Sequence, residues 1–173
     1  PESLSLSNAE GNVSVKLVMP DLSIKTLSLN QQIVQLPKST VGGYYALAAQ
    51  TRSDKKVSGA IRYLSRHGRP VKISPTRLTA LPKMYLEIVP DPLYREHDRY
   101  TASKTYRFVL LYRGKPLSGR LIFLETSNST SRSIKTDTEG VISLTLPNDF
   151  TEVEMGREAN NPSEFLLHAS YQD

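Results

Sequence analysis

Three histidines, His67, His97 and His168, supply the imidazoles from which this chain could build a transition-metal site. The densest group of donors surrounds His97, because Glu96 and Asp98 flank it directly. On a strand the two carboxylates share one face and the imidazole takes the other, so the three could converge on a metal only from a loop. Glu96, His97 and Asp98 are therefore the candidate metal ligands, and a solvated polar loop is the alternative interpretation.

The last histidine lies in a segment, residues 165–171, that predicts the final strand. Alternation along that strand puts His168 on the same face as Leu166 and Ser170. We therefore interpret His168 as a hydrogen-bonded strand histidine and not as a ligand.

Other catalytic and cofactor chemistry has little support in the sequence. The chain has no cysteine, which excludes zinc fingers, iron–sulfur clusters, thiol catalysis and disulfides. No glycine-rich phosphate loop, nucleophile elbow or His-Glu-x-x-His motif occurs. Asp137-Thr-Glu-Gly140 could be half of a calcium loop, but a hairpin turn in which Asp137 binds the backbone and Gly140 adopts positive φ explains it better. The sequence thus predicts a protein that is not an enzyme and holds no cofactor.

Basic side chains are concentrated in the first half. Residues 1–80 contain 11 Lys and Arg against 4 Asp and Glu, whereas residues 81–173 contain 11 against 13. Most of the excess lies between residues 52 and 77, where Asp54 is the one acid. The cations of this segment that we predict to bind an anion or a partner, called the basic stripe below, are Arg52, Lys55, Lys56, Arg62, Arg66, Arg69 and Lys72.

The basic stripe is suited to a phosphate-rich partner or an anionic surface. A solvated face, or a face that docks on the acidic second half, is the alternative. No nucleic-acid motif frames the stripe, Trp is absent and the four Phe are scattered, so no specific nucleic-acid partner is predicted. No apolar run approaches the ~20 residues that span a bilayer, so no transmembrane segment is predicted.

The elements that must position these residues are strands. Segments in which apolar and polar residues alternate, or which are rich in aromatic residues, are separated by turn residues about every 8–12 positions. This spacing is typical of an all-β sandwich or barrel. Residues 57–65 fit either a helical stripe or a strand, and we favour the strand because the neighbouring segments are strands. Residues 71–82 show no sustained period and read as a connector. The run Leu121–Leu124 suggests a strand buried on both faces. The other predicted strands are 13–19, 24–29, 32–36, 44–50, 84–89, 106–112, 132–136, 141–146 and 165–171.

An ordered set of motifs fills the second half of the chain. Leu86-Glu-Ile-Val-Pro-Asp-Pro92 leads into Tyr106–Tyr112, then Arg113-Gly-Lys-Pro-Leu-Ser-Gly119, Lys135-Thr-Asp-Thr-Glu-Gly140 and a strand that ends in His168-Ala-Ser-Tyr171. This order resembles a bacterial periplasmic family of largely unknown function, whose members are often described as nickel or cobalt uptake-associated components. The Gly-Lys-Pro-Leu turn and the Asp-x-x-Gly hairpin also occur in transthyretin-like and carboxypeptidase-regulatory-like sandwiches.

Together with the strand pattern, the resemblance implies Ig-like or transthyretin-like antiparallel β-sandwich units. We expect two: a β-rich module over residues 1–80 and a sandwich over residues 84–173. The resemblance also implies a periplasmic or secreted bacterial protein whose signal peptide has been removed. It would bind another envelope protein or an anionic surface, as an accessory to metal or solute uptake. The alternative, drawn from the basic stripe, is a structural or assembly domain that docks on an acidic protein, a lipid or a polymer.

One motif of that family is missing. Members begin with a histidine-rich segment near a Trp, whereas this chain has no Trp and no histidine before His67. A metal role would therefore depend on His67, His97, His168 and nearby carboxylates. Because nothing in the sequence brings these together, we expect no nickel, cobalt or zinc site tighter than about micromolar.

Overall fold

The computed structural model describes residues 3–5, 12–52, 57–93, 100–127, 130–148 and 165–171. Within these ranges the protein is nearly all β, with antiparallel strands in several sheets and one short helix. The predicted all-β sandwich-type fold is confirmed. Its division into two units, residues 1–80 and 84–173, stays a prediction.

The first half forms two sheets. One has the strand order β3-β2-β6-β7 and the other the order β1-β5-β4, and all of these pairs are antiparallel. The ambiguous segment 57–65 is a strand, as favoured, because it pairs along its whole length with its neighbour, from Arg52↔Val57 to Gly43↔Arg66. The strands are β1 Ser3–Ser5, β2 Val13–Val18, β3 Ile24–Leu27, β4 Leu29–Asn30, β5 Ile33–Gln35, β6 Gly43–Arg52 and β7 Val57–Arg66.

The second half also forms two sheets. In one, β9 pairs with β8 and with both β13 and β10, and the other has the order β12-β11-β14. The strands are β8 Leu86–Pro90, β9 Thr105–Tyr112, β10 Lys115–Pro116, β11 Leu121–Thr126, β12 Ser131–Lys135, β13 Val141–Thr145 and β14 Phe165–His168.

A short helix, α1 (Thr76–Ala80), lies where the sequence predicted only a connector. The helix lies within the predicted connector, and five residues are too few to show a helical period in the sequence. Leu78 is the buried residue of α1 and packs with Val18 and Ala46.

The hydrophobic residues of the first half cover both faces of one sheet. Val15, Leu17 and Leu47 point into a core with Val34 of β5, whereas Val18 and Ala46 point to the opposite face, under α1. This arrangement explains why every residue from Tyr45 to Ala49 is buried. The second half has its own core, built mainly from β9, β11 and β13.

The prediction that Leu121–Leu124 is buried on both faces was wrong. Ile122 and Leu124 are fully buried, but the alternate residue Leu121 is 47% exposed. The β12-β11-β14 sheet therefore faces the core on one side only, and its apolar run reflects β propensity on the open side.

Candidate partner-docking surface

The structure spreads the basic stripe along β7. Arg66 ends β7 and Arg62 lies near its middle, where it pairs with Leu47. Arg62 therefore lies on the Leu47 face of the sheet, opposite the face that α1 covers. Arg69 and Lys72 follow Arg66 in the chain. Arg52 belongs to the other end of the β6–β7 hairpin, where it pairs with Val57. Lys55 and Lys56 lie outside the described residues.

Arg52 is tied to the second half of the chain. Its Nη1 donates a hydrogen bond to the hydroxyl of Tyr85 over 2.8 Å, and its guanidinium carbon lies 4.7 Å from the centroid of that ring. The carboxamide oxygen of Gln50 accepts the backbone N–H of Tyr85. Arg52 therefore serves a contact between the two halves, and it is separate from the cations at the far end of β7.

Arg66 is held in place by the first half. Its Nη1 donates to the carbonyl oxygen of Pro37 over 2.9 Å, and its guanidinium carbon lies 5.2 Å from the ring centroid of the buried Tyr45. The hydroxyl of Tyr45 in turn donates to the carbonyl oxygen of Val41 over 2.6 Å. These contacts fix the segment that precedes β6 against the end of β7.

Two glycines let the chain cross itself at this end. The N–H of Gly42 donates to the carbonyl oxygen of Arg69 over 2.9 Å, and the N–H of Arg69 donates to that of Thr40 over 2.8 Å. A Cβ on Gly42 would lie 2.6 Å from the carbonyl oxygen of Gly68, so only glycine fits there. The crossing fixes the backbone of Arg69 while its side chain stays exposed.

A cavity of about 230 Å³ opens to solvent beside this crossing. Three glycines contribute to its wall, and the polar residues that line it are Arg66, His67 and Ser74. Its apolar lining comes from Pro20, Tyr44, Pro70, Val71, Ile73, Pro75 and Leu78. The lining therefore combines apolar and polar residues.

Three exposed cations of the basic stripe have no acidic partner in the part of the chain that the structure describes. No described carboxylate forms an ion pair with Arg62, Arg69 or Lys72. Three acids of the second half are engaged elsewhere, in the pairs Lys83–Glu87, Arg107–Asp91 and His168–Glu125. Over the described residues, Arg62, Arg69 and Lys72 form no ion pair with the second half, whereas Arg52 contacts it through Tyr85.

The candidate metal ligands Glu96, His97 and Asp98 lie outside the described residues. Within the described ranges, no three His, Asp or Glu side chains are grouped closely enough to hold a metal ion. The prediction about metal binding therefore stays a prediction.

The other two histidines have separate environments. His168 is hydrogen-bonded as predicted: its Nε2 lies 3.1 Å from Oε1 of Glu125 across the β11–β14 pair, and its ring stacks on Phe123. His67 lines the cavity at the end of β7. The two therefore belong to different halves of the molecule.

The acidic turn at Asp137 is the predicted hairpin turn. Oδ1 of Asp137 accepts the N–H groups of Glu139 and Val141, and Gly140 has a φ of 74°. The carboxylate is thus used by the backbone of its own turn.

A buried ion pair, absent from the sequence interpretation, joins the connector to β8. Nζ of Lys83 lies 3.0 Å from Oε2 of Glu87, and both side chains are almost fully buried. Nζ donates to the carbonyl oxygens of Leu78 and Leu81, at the end of α1. Oε1 of Glu87 accepts the backbone N–H groups of Lys83 and Met84. The pair therefore closes the α1–β8 connection from both sides.

Burial dominates the electrostatics of this pair. It lowers the pKa of Lys83, and the adjacent Glu87 carboxylate opposes the shift. Tyr63 of β7 is partly buried, and its enclosed hydroxyl has no hydrogen-bond partner among the described residues. Burial first, and the Glu87 charge second, raise the pKa of Tyr63 far above its ordinary value. Glu87 is buried although it lies in a strand whose pattern gave no sign of it, and β8 packs against β7.

No protein-family model matches the chain, and neither a curated protein nor a solved structure matches it. Over the described residues, the protein has no helix of the length and hydrophobicity that a membrane span requires.

Proposed function

We propose that this chain is a non-enzymatic binding module that docks an acidic partner protein through the end of β7. The docking surface consists of Arg66, Arg69 and Lys72 together with the adjacent cavity. The observation that carries the proposal is the exposure of Arg69 and Lys72, beside the cavity, without an ion-pair partner among the described residues.

Clustered cations attract an acidic partner at a distance and repel proteins that present a basic surface. Adjacent like charges repel one another, so gathering them at one end of a sheet costs stability and favours a ligand that neutralises them. The fixed Arg66 and the backbone crossing at Arg69 hold two of these residues in a defined arrangement. A preorganised surface loses less conformational entropy when the partner binds.

We place this module in the bacterial periplasm or outside the cell. The support is the resemblance of residues 84–173 to a periplasmic family, and the docked partner would then be another envelope protein. An accessory role in metal or solute uptake rests on the same resemblance and depends on the metal titration described below.

The proposal is tested by charge reversal with a matched control. Arg69→Glu combined with Lys72→Glu changes the net charge by the same amount as Lys115→Glu combined with Lys135→Glu, which alters exposed residues of the second half. The affinity of each variant and of the wild type for fluorescein-labelled polyglutamate is measured by anisotropy from 20 to 200 mM NaCl.

We expect the first double variant to lose at least about tenfold in affinity at low salt and to flatten the salt dependence. The control should stay within about threefold of the wild type. Equal losses in the two double variants would show that net charge, and not this surface, governs the binding, and would contradict the proposal.

A further inference from the structure

The cavity at the end of β7 differs from an ordinary cationic surface because apolar residues make up most of its lining. Tyr44, Val71, Ile73 and Leu78 contribute to it, and Leu78 is the buried residue of α1. A flat cationic face would be enough for a polyanion, and it would need no apolar cavity. The cavity therefore carries information about the partner beyond its negative charge.

The dimensions of the cavity match one large side chain. Its volume is about 230 Å³, and an apolar cavity of roughly 150 Å³ is enough to admit a benzene ring. The wall is rigid on one side, because the backbones of Gly42 and Gly68 are in direct contact there. A preformed apolar cavity with a few polar groups at its rim is the usual form of a binding pocket.

The charged and polar residues at the cavity indicate which groups flank the bound side chain in the partner. Arg66 and His67 line the same cavity as Val71 and Ile73, and the exposed Arg69 lies between the two pairs in the chain. Arg69 and Lys72 are exposed and alternate along the chain with the lining residues Pro70, Val71 and Ile73, so the groups that flank an occupant of the cavity lie beside these cations. A peptide with an aromatic or long aliphatic residue among acidic residues places an apolar group in the cavity and negative charge beside the cations, whereas a polyanion without apolar groups leaves the cavity empty.

We propose that this cavity is an anchor pocket for one apolar side chain of an acidic peptide segment in the partner. The inference rests on the proposed function and specifies its ligand class. Arg66, Arg69 and Lys72 contact the acidic residues that flank the anchor, and the apolar lining contacts the anchor itself. Such a centrally buried side chain with a polar surround is the usual arrangement of a binding hot spot.

Two labelled peptides test the proposal against wild-type protein. Both contain six glutamates, and the central residue is Phe in one and Ala in the other. We expect the Phe peptide to bind at least about tenfold more tightly, because burying an aromatic side chain in an apolar site has roughly that effect. Equal affinities for the two peptides would overturn the anchor pocket while leaving the cationic docking surface in place.

Variants separate the pocket from the charges around it. Val71→Trp and, independently, Ile73→Trp place a bulky ring in the cavity and should abolish the advantage of the Phe peptide without changing the affinity for the Ala peptide. Arg69→Glu with Lys72→Glu should weaken both peptides by the same factor. A Phe advantage that survives in both Trp variants would place the anchor elsewhere and overturn the inference.

The comparison of the two peptides on wild-type protein also tests the proposed docking function itself. Binding of neither peptide at 20 mM NaCl would overturn the docking surface and the pocket together. Binding to vesicles of anionic phospholipid, with no binding of either peptide, would identify the surface as a membrane contact and would contradict both proposals.

Discussion

The hydroxyl of Tyr63 is expected to destabilise the folded state. It is buried at the contact between β7 and β8, and it has no hydrogen-bond partner among the described residues. A buried polar group without a partner loses its hydration and gains nothing in return. The aromatic ring of Tyr63, in contrast, packs beside Val18, Ala46 and Leu78.

Tyr63→Phe is therefore expected to stabilise the protein by about 1 kcal/mol at neutral pH. The substitution should also flatten the loss of stability above pH 10. The folded state keeps Tyr63 protonated because its pKa is raised, whereas the unfolded state releases that proton near the ordinary tyrosine pKa of 10.0. Urea unfolding at pH 7 and at pH 10.5 checks both effects. A destabilised variant at pH 7 would show that the hydroxyl has a partner after all.

The Lys83–Glu87 pair is expected to respond to substitution unlike a surface pair. Glu87→Ala leaves the buried ammonium of Lys83 without its counter-charge and two backbone N–H groups without an acceptor, and should cost about 3–5 kcal/mol of unfolding free energy. The matched control is Arg107→Ala, because the Arg107–Asp91 pair is about half exposed. The control should cost less than about 1 kcal/mol. Equal losses in denaturant melts would contradict the buried-pair interpretation.

Metal binding is also decided by single residues. We expect titration calorimetry of metal-free protein with Ni²⁺, Co²⁺ and Zn²⁺ to reveal no site tighter than about 1 μM, because Glu96, His97 and Asp98 alternate in direction on any strand. A stoichiometric nanomolar site that is lost in His97→Ala would contradict this expectation and support a role in metal uptake.

At the scale of elements, the local sequence pattern was enough to predict a strand wherever apolar and polar residues alternated along the whole segment. The alternation of residues 13–19 and the turn chemistry at Asp137 predicted β2 and the β12–β13 turn. The same reasoning missed α1, whose single buried residue Leu78 leaves no period to detect. It also misjudged Leu121, because an apolar run reports β propensity and not the number of covered faces.

The crossing at Gly42 and Gly68 is an element-scale feature with a measurable cost. In Gly68→Ala the new Cβ would lie 2.5 Å from the carbonyl oxygen of Thr40, so the two backbone hydrogen bonds of Arg69 must open. We expect a loss of about 1–3 kcal/mol and faster amide exchange at Gly42 and Arg69. Gly59→Ala is the control, because its closest neighbour is the flexible sulfur of Met84. Unchanged exchange in Gly68→Ala would contradict the crossing.

At the scale of the whole molecule, the cations of the candidate site were readable from composition, but their arrangement was not. Arg52 and Arg66 are only 14 residues apart in the sequence, yet the β6–β7 hairpin separates them. Arg52 pairs with the first residue of β7, and Arg66 is the last residue of that ten-residue strand. The cavity forms only when segments around residues 20, 42, 67 and 73 meet. Contacts of such sequence separation leave no local period, and the buried Glu87 was missed for the same reason.

The central claim is that an acidic partner docks at the end of β7, and amide chemical-shift mapping tests it most directly. Isotope-labelled protein is titrated with the glutamate peptide that carries a central Phe, at 50 mM NaCl. We predict that the largest shifts fall on residues 40–44 and 66–75, around the cavity. Shifts concentrated instead on the open face of β11 and β14, at Phe123, Leu166 and His168, would contradict the account.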